Sequence, residues 1–222
     1  MGLARRWVAW AAVAACLSVG MVLAGCGAGT AKIPAAKSST GRHSAASSKV
    51  VETFTEYTSG PGISTFRQAW FRNPAGGTVT NTISSSQKAN KLPAMKFVYN
   101  AGSPGYAGLE HQMVQNNNWS GYAGYSVWIK GDGSKDKLVV QFEDGNGEQW
   151  DSYPILDFTN WKQLKVPFSR FVPAPWQKNP PNKIASASVL SKIQQISFYV
   201  SPNVKGTPGK GTIYLGDISV YK

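Results

Sequence analysis

An all-β chain closed into a β-sandwich follows from three features of this sequence. Short runs in which apolar and polar residues alternate recur along it, rich in the β-branched and aromatic side chains that suit a half-buried pleated surface. Clusters of Gly, Pro, Asn and Asp separate the runs at intervals of roughly ten residues, the spacing of strands in a sandwich. No segment sustains a helical period, and no internal repeat of fixed length is present. About ten short strands of this kind bury alternate side chains between two sheets.

In chain order, Val50, Glu52, Phe54 and Glu56 alternate in part and predict a first strand, followed by a loop rich in Ser, Gly and Pro. Trp70-Phe71 leads to Asn73-Pro74-Ala75-Gly76-Gly77 and then to a Thr-rich run over 78–83, a sequence that reads as a hairpin. Met95, Phe97 and Tyr99 alternate with Lys96 and Val98, another strand with one apolar side. Gly102-Ser103-Pro104-Gly105 then sets Tyr106 at the start of a segment ending at Val114, and residues 116–121 form a turn.

The stretch 122–168 organises the rest. Tyr125, Val127 and Ile129 alternate with Ser126, Trp128 and Lys130 up to Gly131-Asp132-Gly133, residues that tolerate the positive φ of a tight connection. Leu138, Val140 and Phe142 alternate with Val139, Gln141 and Glu143, and the two strands are expected to pair. Asp144-Gly145-Asn146-Gly147 closes the second of them with turn chemistry. Beyond Phe171, the proline-rich segment 172–184 with Trp176 excludes a central strand and reads as a long ordered loop. Residues 188–192 suit a single helical turn. Ile196, Phe198 and Val200 alternate with Ser197 and Tyr199, and Ile213 and Leu215 lead to a bulge at Gly216-Asp217.

The first fifty residues have a different character. Arg5 and Arg6 precede an apolar run over 7–22 and then Leu23-Ala24-Gly25-Cys26, the layout of a secretory leader. The last four resemble a bacterial lipobox, which implies removal of residues 1–25 and lipidation of Cys26, with Cys16 lost in the leader. Residues 26–49 have the composition of a flexible tether, and 50–222 form the folded domain. The chain is expected in the bacterial cell envelope, extracytoplasmic and held to the membrane by this lipid. The net charge of +12 raises nucleic acid as a partner. The leader and the scatter of the lysines along turns and strands argue against it, and Lys32, Lys37, Arg42 and Lys49 can rest against anionic headgroups or wall polymers instead.

An ordered set of motifs carries a resemblance: G-D-G after a strand (131–133), D-G-x-G-E-x-W (144–150), N-W-K-x-L-K-V-P-F-S-x-F (160–171) and G-T-I-Y-L-G-D-I-S-V-Y (211–221). Over residues 50–222 the chain resembles family 11 of the carbohydrate-binding modules and, more widely, the galactose-binding-like jelly rolls. The resemblance implies jelly-roll topology and a cleft on one sheet lined by tyrosines and polar residues. Tyr106, in Pro-Gly-Tyr-Ala-Gly, falls where the family has a cleft tyrosine, and Trp176 where another aromatic precedes a Pro-Pro loop. Asn146 stands where the family has an aspartate, and Gln194 likewise replaces an acidic residue. Val200 stands where the family has a tyrosine, with Tyr199 one place away, and an arginine of the family next to the loop is missing. A structural Ca²⁺, common in such jelly rolls, would fall to Glu52 and Asp217, although the family's acidic position in the last strand is Gly216 here.

Sugars are recognised by rings lying against the apolar face of the pyranose and by amides or carboxylates that satisfy its hydroxyls. The side chains expected to face away from the core include Trp128, Gln141, Glu143, Gln163, Tyr199 and Tyr214, and a shared face of this composition suits a saccharide chain. Tyr106, Trp128, Gln141, Asn146, Trp176, Gln194 and Tyr199 are the candidate binding residues. Glu143, Asp144, Glu148 and Asp151 are acidic enough to be recruited to glycoside hydrolysis, but most sit in D-G turns, where solvated carboxylates are the default. His43 lies in the tether and His111 stands alone, which leaves no triad and no zinc site. The function expected is binding of a β-glucan-type polysaccharide without chemistry of its own. A cellulase-associated enzyme component and an envelope scaffold that binds a protein partner are the alternatives.

Overall fold

The computed structural model describes residues 48–58, 70–102, 105–177, 185–200 and 209–222. The expected leader, Cys26 and the expected tether up to residue 47 lie outside the described residues, as do residues 59–69 and 178–184, for which the sequence predicts loops.

Two antiparallel sheets form a β-sandwich, as the alternation predicts, and one of jelly-roll type, as the resemblance implies. Sheet 1 runs in the order β3 (Thr78–Ala89), β4 (Leu92–Asn100), β12 (Lys210–Tyr221), β6 (Gly124–Lys130), β9 (Trp161–Pro167), with β1 (Ser48–Glu52) also paired to β12. Sheet 2 runs β10 (Val172–Pro173), β8 (Gln149–Ser152), β7 (Val139–Asp144), β11 (Ile193–Val200), β5 (Tyr106–Asn117), β2 (Trp70–Ala75). Alternate residues of both meet in one aromatic-rich core. Trp119 stacks on Phe168 at 6.0 Å and meets Phe142 edge-on, while Phe142 stacks on Trp150 at 6.4 Å. The only helix longer than a 3-10 turn among the described residues is α1 (Ala187–Leu190), a single turn whose N-cap Ser186 accepts from Val189 N, close to the turn expected.

Two expected pairings are corrected. The segment from Trp70 to Ile83 is not a hairpin, because β2 pairs with β5 in sheet 2 whereas β3 pairs with β4 in sheet 1. Likewise β6 and β7 do not pair with each other; β6 lies between β12 and β9, and β7 between β11 and β8. Each has an apolar side to bury, and crossing from sheet to sheet places both apolar sides in the same core. The Gly-rich segments are therefore crossovers. Two of them stack: a Cβ on Gly102, whose φ is 69°, would come within 2.0 Å of the Gly76 carbonyl oxygen, so the chain passes there only without side chains. The bulge expected at Gly216-Asp217 is present, as a register shift of β12 against β6 between Leu215 and Ile218.

Glu52 ties the two sheets together. Its buried carboxylate (4 % exposed) accepts from the backbone N–H groups of Thr53 and Phe54 and from Tyr57 Oη and Trp70 Nε1, at 2.7 to 3.2 Å. Burial raises its pKa above the ordinary carboxylate value, against the pull of these donors. Phe54 takes a left-handed φ of 62° to bring its N–H to the carboxylate. Glu52 and Asp217 are the two residues from which a structural calcium was expected. Glu52 points into the core beside its cross-strand partner Ile218 and is engaged by these four donors, whereas Asp217 stands at the β12 bulge with its Oδ1 buried and without a hydrogen-bond partner among the described residues. Glu52→Gln, which turns one acceptor into a donor among four donors, is expected to lower the unfolding free energy by about 2–3 kcal/mol in urea titrations. A change within about 0.5 kcal/mol, the range of an ordinary surface substitution, would contradict this role.

Candidate functional site

The outer face of sheet 2 gathers the chain's polar and aromatic side chains into rows set by strand register. In the middle row, Phe71, Glu110, Ser197, Gln141 and Asp151 are successive cross-strand partners on β2, β5, β11, β7 and β8. On one side of it lie Gln112, Gln195, Glu143 and Gln149; on the other, Asn73, Gly108, Tyr199 and Val139, and then Tyr106. All alternate with core residues such as Leu109, Phe142, Ile196 and Phe198, whose burial turns these side chains outward.

Tyr199 and Tyr106 form the aromatic end. Their rings meet edge-to-face at 5.7 Å and 87°. The Tyr199 ring lies over Gly108, where a Cβ would come within 2.0 Å of its Cδ1, so that glycine makes room for the ring. The Tyr199 hydroxyl donates to Glu110 Oε1, which also accepts from Asn73 Nδ2, and the Tyr106 hydroxyl donates to Asn73 Oδ1 at 3.0 Å. Burial, then the adjoining Glu110 charge, raises the Tyr199 phenol well above its ordinary value, so it stays a neutral donor.

The other end is built from amides. Gln141 Nε2 donates to Asp151 Oδ1 at 2.9 Å and Tyr153 Oη to Asp151 Oδ2 at 3.1 Å. Gln141 Oε1 is buried with no hydrogen-bond partner among the described residues. Glu143 accepts from Gln149 Nε2 at 2.7 Å, and Gln149 Oε1 accepts from Trp176 Nε1 at 2.8 Å, which fastens the half-exposed Trp176 (58 % exposed) to the rim of the face. No Lys or Arg side chain lies on this face among the described strand positions, so its fixed charge comes from Glu110, Glu143 and Asp151.

Of the residues expected from the sequence, Tyr106, Gln141, Tyr199 and Trp176 come together here. Trp128 does not: with Gln163 and Tyr214 it stands on the outer face of sheet 1, because β6 belongs to that sheet. This corrects the expectation of one shared face. Gln194 is also displaced, since β11 shifts register between Ile193 and Gln195; it is exposed, its amide lies beside Gly145, and Gln195 takes the place on the face. Asn146 sits in the β7–β8 turn, donating to Asp144 and accepting from Lys192 Nζ at 2.8 Å. Asp144 caps that turn through the N–H groups of Asn146 and Glu148. Glu110, Asn73, Gln195, Ser197 and Tyr153 were not singled out from sequence. The alternation of Glu110 and Gln112 with Leu109 and His111 on β5 was the available sign.

Burial pushes the Asp151 carboxyl up to about 6, against the donors Gln141 and Tyr153. A carboxyl raised in the folded state contributes stability that is present below its unfolded pKa and lost as pH rises through the folded value. Between about pH 4 and pH 6.5, urea unfolding is therefore expected to show the wild type losing up to roughly 3 kcal/mol relative to Asp151→Asn. A difference that does not vary with pH would contradict this environment for Asp151.

Comparison with known proteins gives this geometry a context. Residues 37–213 match the family model described as a carbohydrate binding domain of family 11. Among curated proteins, a mannan endo-1,4-beta-mannosidase of Bifidobacterium adolescentis is 28% identical over 157 residues, 67% of this chain and 16% of that protein. Endoglucanase H of Acetivibrio thermocellus is 27% identical over 138 residues, 59% of this chain and 15% of that protein. The chain thus spans about a sixth of the length of these relatives. Among solved structures, the family 11 carbohydrate-binding module from Clostridium thermocellum, in complex with a β-1,3-1,4-mixed-linked tetrasaccharide, superposes with a TM-score of 0.56 at 21% identity, covering 78% of this chain and 95% of that one. Since the family model spans most of the sequence and the sandwich is the same, this chain belongs to family 11 of the carbohydrate-binding domains.

Proposed function

We propose that the outer face of sheet 2 binds a neutral β-glucan chain, with the Tyr106–Tyr199 pair against its sugar rings and the amide end against its hydroxyls. The observation that carries this reading is the tethering of both tyrosine hydroxyls to the Asn73–Glu110 pair, which holds two rings in fixed positions before a ligand arrives. Rings ordered in advance lose little rotamer freedom on binding. Carboxylates without a lysine among them disfavour an acidic glycan and suit hydroxyl donors. The β-glucan ligand is carried over from the Clostridium thermocellum module, whose complex holds a mixed-linked tetrasaccharide. Glu143 and Asp151 are each already bonded to an amide donor, which favours a binding role over hydrolysis. We further propose export and lipidation at Cys26, on the strength of the leader pattern alone.

In affinity electrophoresis on mixed-linkage β-glucan, Tyr199→Ala and Tyr106→Ala are each expected to weaken binding by about ten- to a hundredfold, whereas Trp128→Ala leaves it unchanged. Retention on mannan and not on β-glucan, or an equal loss with Trp128→Ala, would overturn the reading. For the anchor, Cys26→Ser is expected to abolish detergent partitioning and the mass added by lipid; an unchanged product would remove that part of the proposal.

A further inference from the structure

The outer face of sheet 1 differs in charge from that of sheet 2. On it, Lys96, Tyr214, Lys130 and Trp161 are successive cross-strand partners on β4, β12, β6 and β9. They make one row across the sheet in which cation and ring alternate, spanning three strand spacings, about 14 Å. Lys165 and Lys210 lie on the same face, opposite Ser126 and Asn100 respectively. On the described strands of this face the single carboxylate is Asp217, at the β12 bulge. The row is ordered: Lys130 Nζ donates to Gln87 Oε1 at 3.0 Å, an amide and not a carboxylate, and stands over the face of the Tyr214 ring, 5.9 Å from its centre. All four side chains of the row are half-buried.

We propose that this row is a second carbohydrate site, one for an acidic polysaccharide. Uronate carboxylates pair with Lys96 and Lys130, a sugar face lies on Trp161, and the Tyr214 ring holds the Lys130 ammonium in place between them. Charge complementarity selects an anionic chain, since four lysines face outward here and Asp217 is the single carboxylate on the described strands of the face. The leader pattern argues against nucleic acid and leaves an acidic envelope glycan as the occupant, with single-stranded DNA, whose bases also stack on rings, and anionic lipid, whose interface also accepts them, as the outcomes the test separates. The site is independent of the neutral-glucan reading of sheet 2.

The test uses the full chain in affinity electrophoresis against polygalacturonate, with mixed-linkage β-glucan, single-stranded DNA and phosphatidylglycerol vesicles in parallel. Retardation by polygalacturonate is expected. Lys96→Gln combined with Lys130→Gln is expected to reduce it by about tenfold or more, and Tyr214→Ala by a comparable factor. The Lys96→Arg, Lys130→Arg pair keeps the charge and most of the binding. All variants keep the wild-type unfolding midpoint; if the double glutamine variant does not, Tyr214→Ala and the arginine pair carry the test. No retardation, retardation insensitive to Tyr214→Ala, equal binding of DNA, or vesicle binding that falls with the Lys96→Gln, Lys130→Gln pair as much as polygalacturonate binding does, would overturn the proposal. Loss of β-glucan binding by Tyr199→Ala with polygalacturonate binding intact is expected, and failure of either site on its own is visible as such.

Discussion

Strand β11 lies between β5 and β7, and burial of Ile196, Phe198 and Val200 on one side of it leaves Ser197 and Tyr199 no choice but the other. The two-residue period of a strand turns the demand of the core into a functional surface. The same rule, applied through register to β5, β7 and β8, brings Glu110, Gln141 and Asp151 into line with Ser197. A slip of one residue in β11 would bury Tyr199 and expose Phe198, so core packing and the position of the face are specified together.

The frame that holds this face is stiff for local reasons. Glycines at 76, 77 and 102 let the β2–β3 and β4–β5 crossovers touch backbone to backbone. Glu52 joins the end of β1 to Trp70 at the start of β2, across the two sheets. Hydrogen bonds then fix the face itself, with Glu110 holding Tyr199 and Asn73 holding Tyr106. Side chains fixed by packing and by bonded partners are what a site for a flexible saccharide needs, because the ligand already has its own freedom to lose.

Which side of a strand faces the core was legible in the sequence, since alternation is local. The inward set on the strands at Met95, Val127, Phe142, Ile196 and Ile213 follows from counting by twos, and the bulge at Gly216-Asp217 from the glycine. Sheet membership was not legible. Trp128 and Tyr199 have the same outward parity, yet β6 and β11 lie in different sheets, a fact fixed by pairing between strands distant in sequence. The same blindness made β2–β3 and β6–β7 look like hairpins. Gln194 was misplaced for a subtler reason: a bulge at that residue gives its place on the face to Gln195. Tyr106 was found because Pro-Gly-Tyr-Ala-Gly resembles the setting of the family's cleft tyrosine, whereas Glu110 looks in sequence like any charged residue on a strand.

The sandwich thus has two unlike outer surfaces, one acidic with paired tyrosines and the other a row of lysines and rings. As a member of a carbohydrate-binding family it has a fold that sets rows of side chains across the outer faces of its sheets. The most direct test of the sheet 2 site is amide chemical-shift mapping of the isotopically labelled protein during titration with a β-1,3-1,4-linked tetrasaccharide. Shifts are expected to concentrate on β5, β7, β8 and β11, around residues 106–112, 139–143, 149–153 and 195–199. Shifts confined to β4, β6, β9 and β12, or none at saturating sugar, would contradict it.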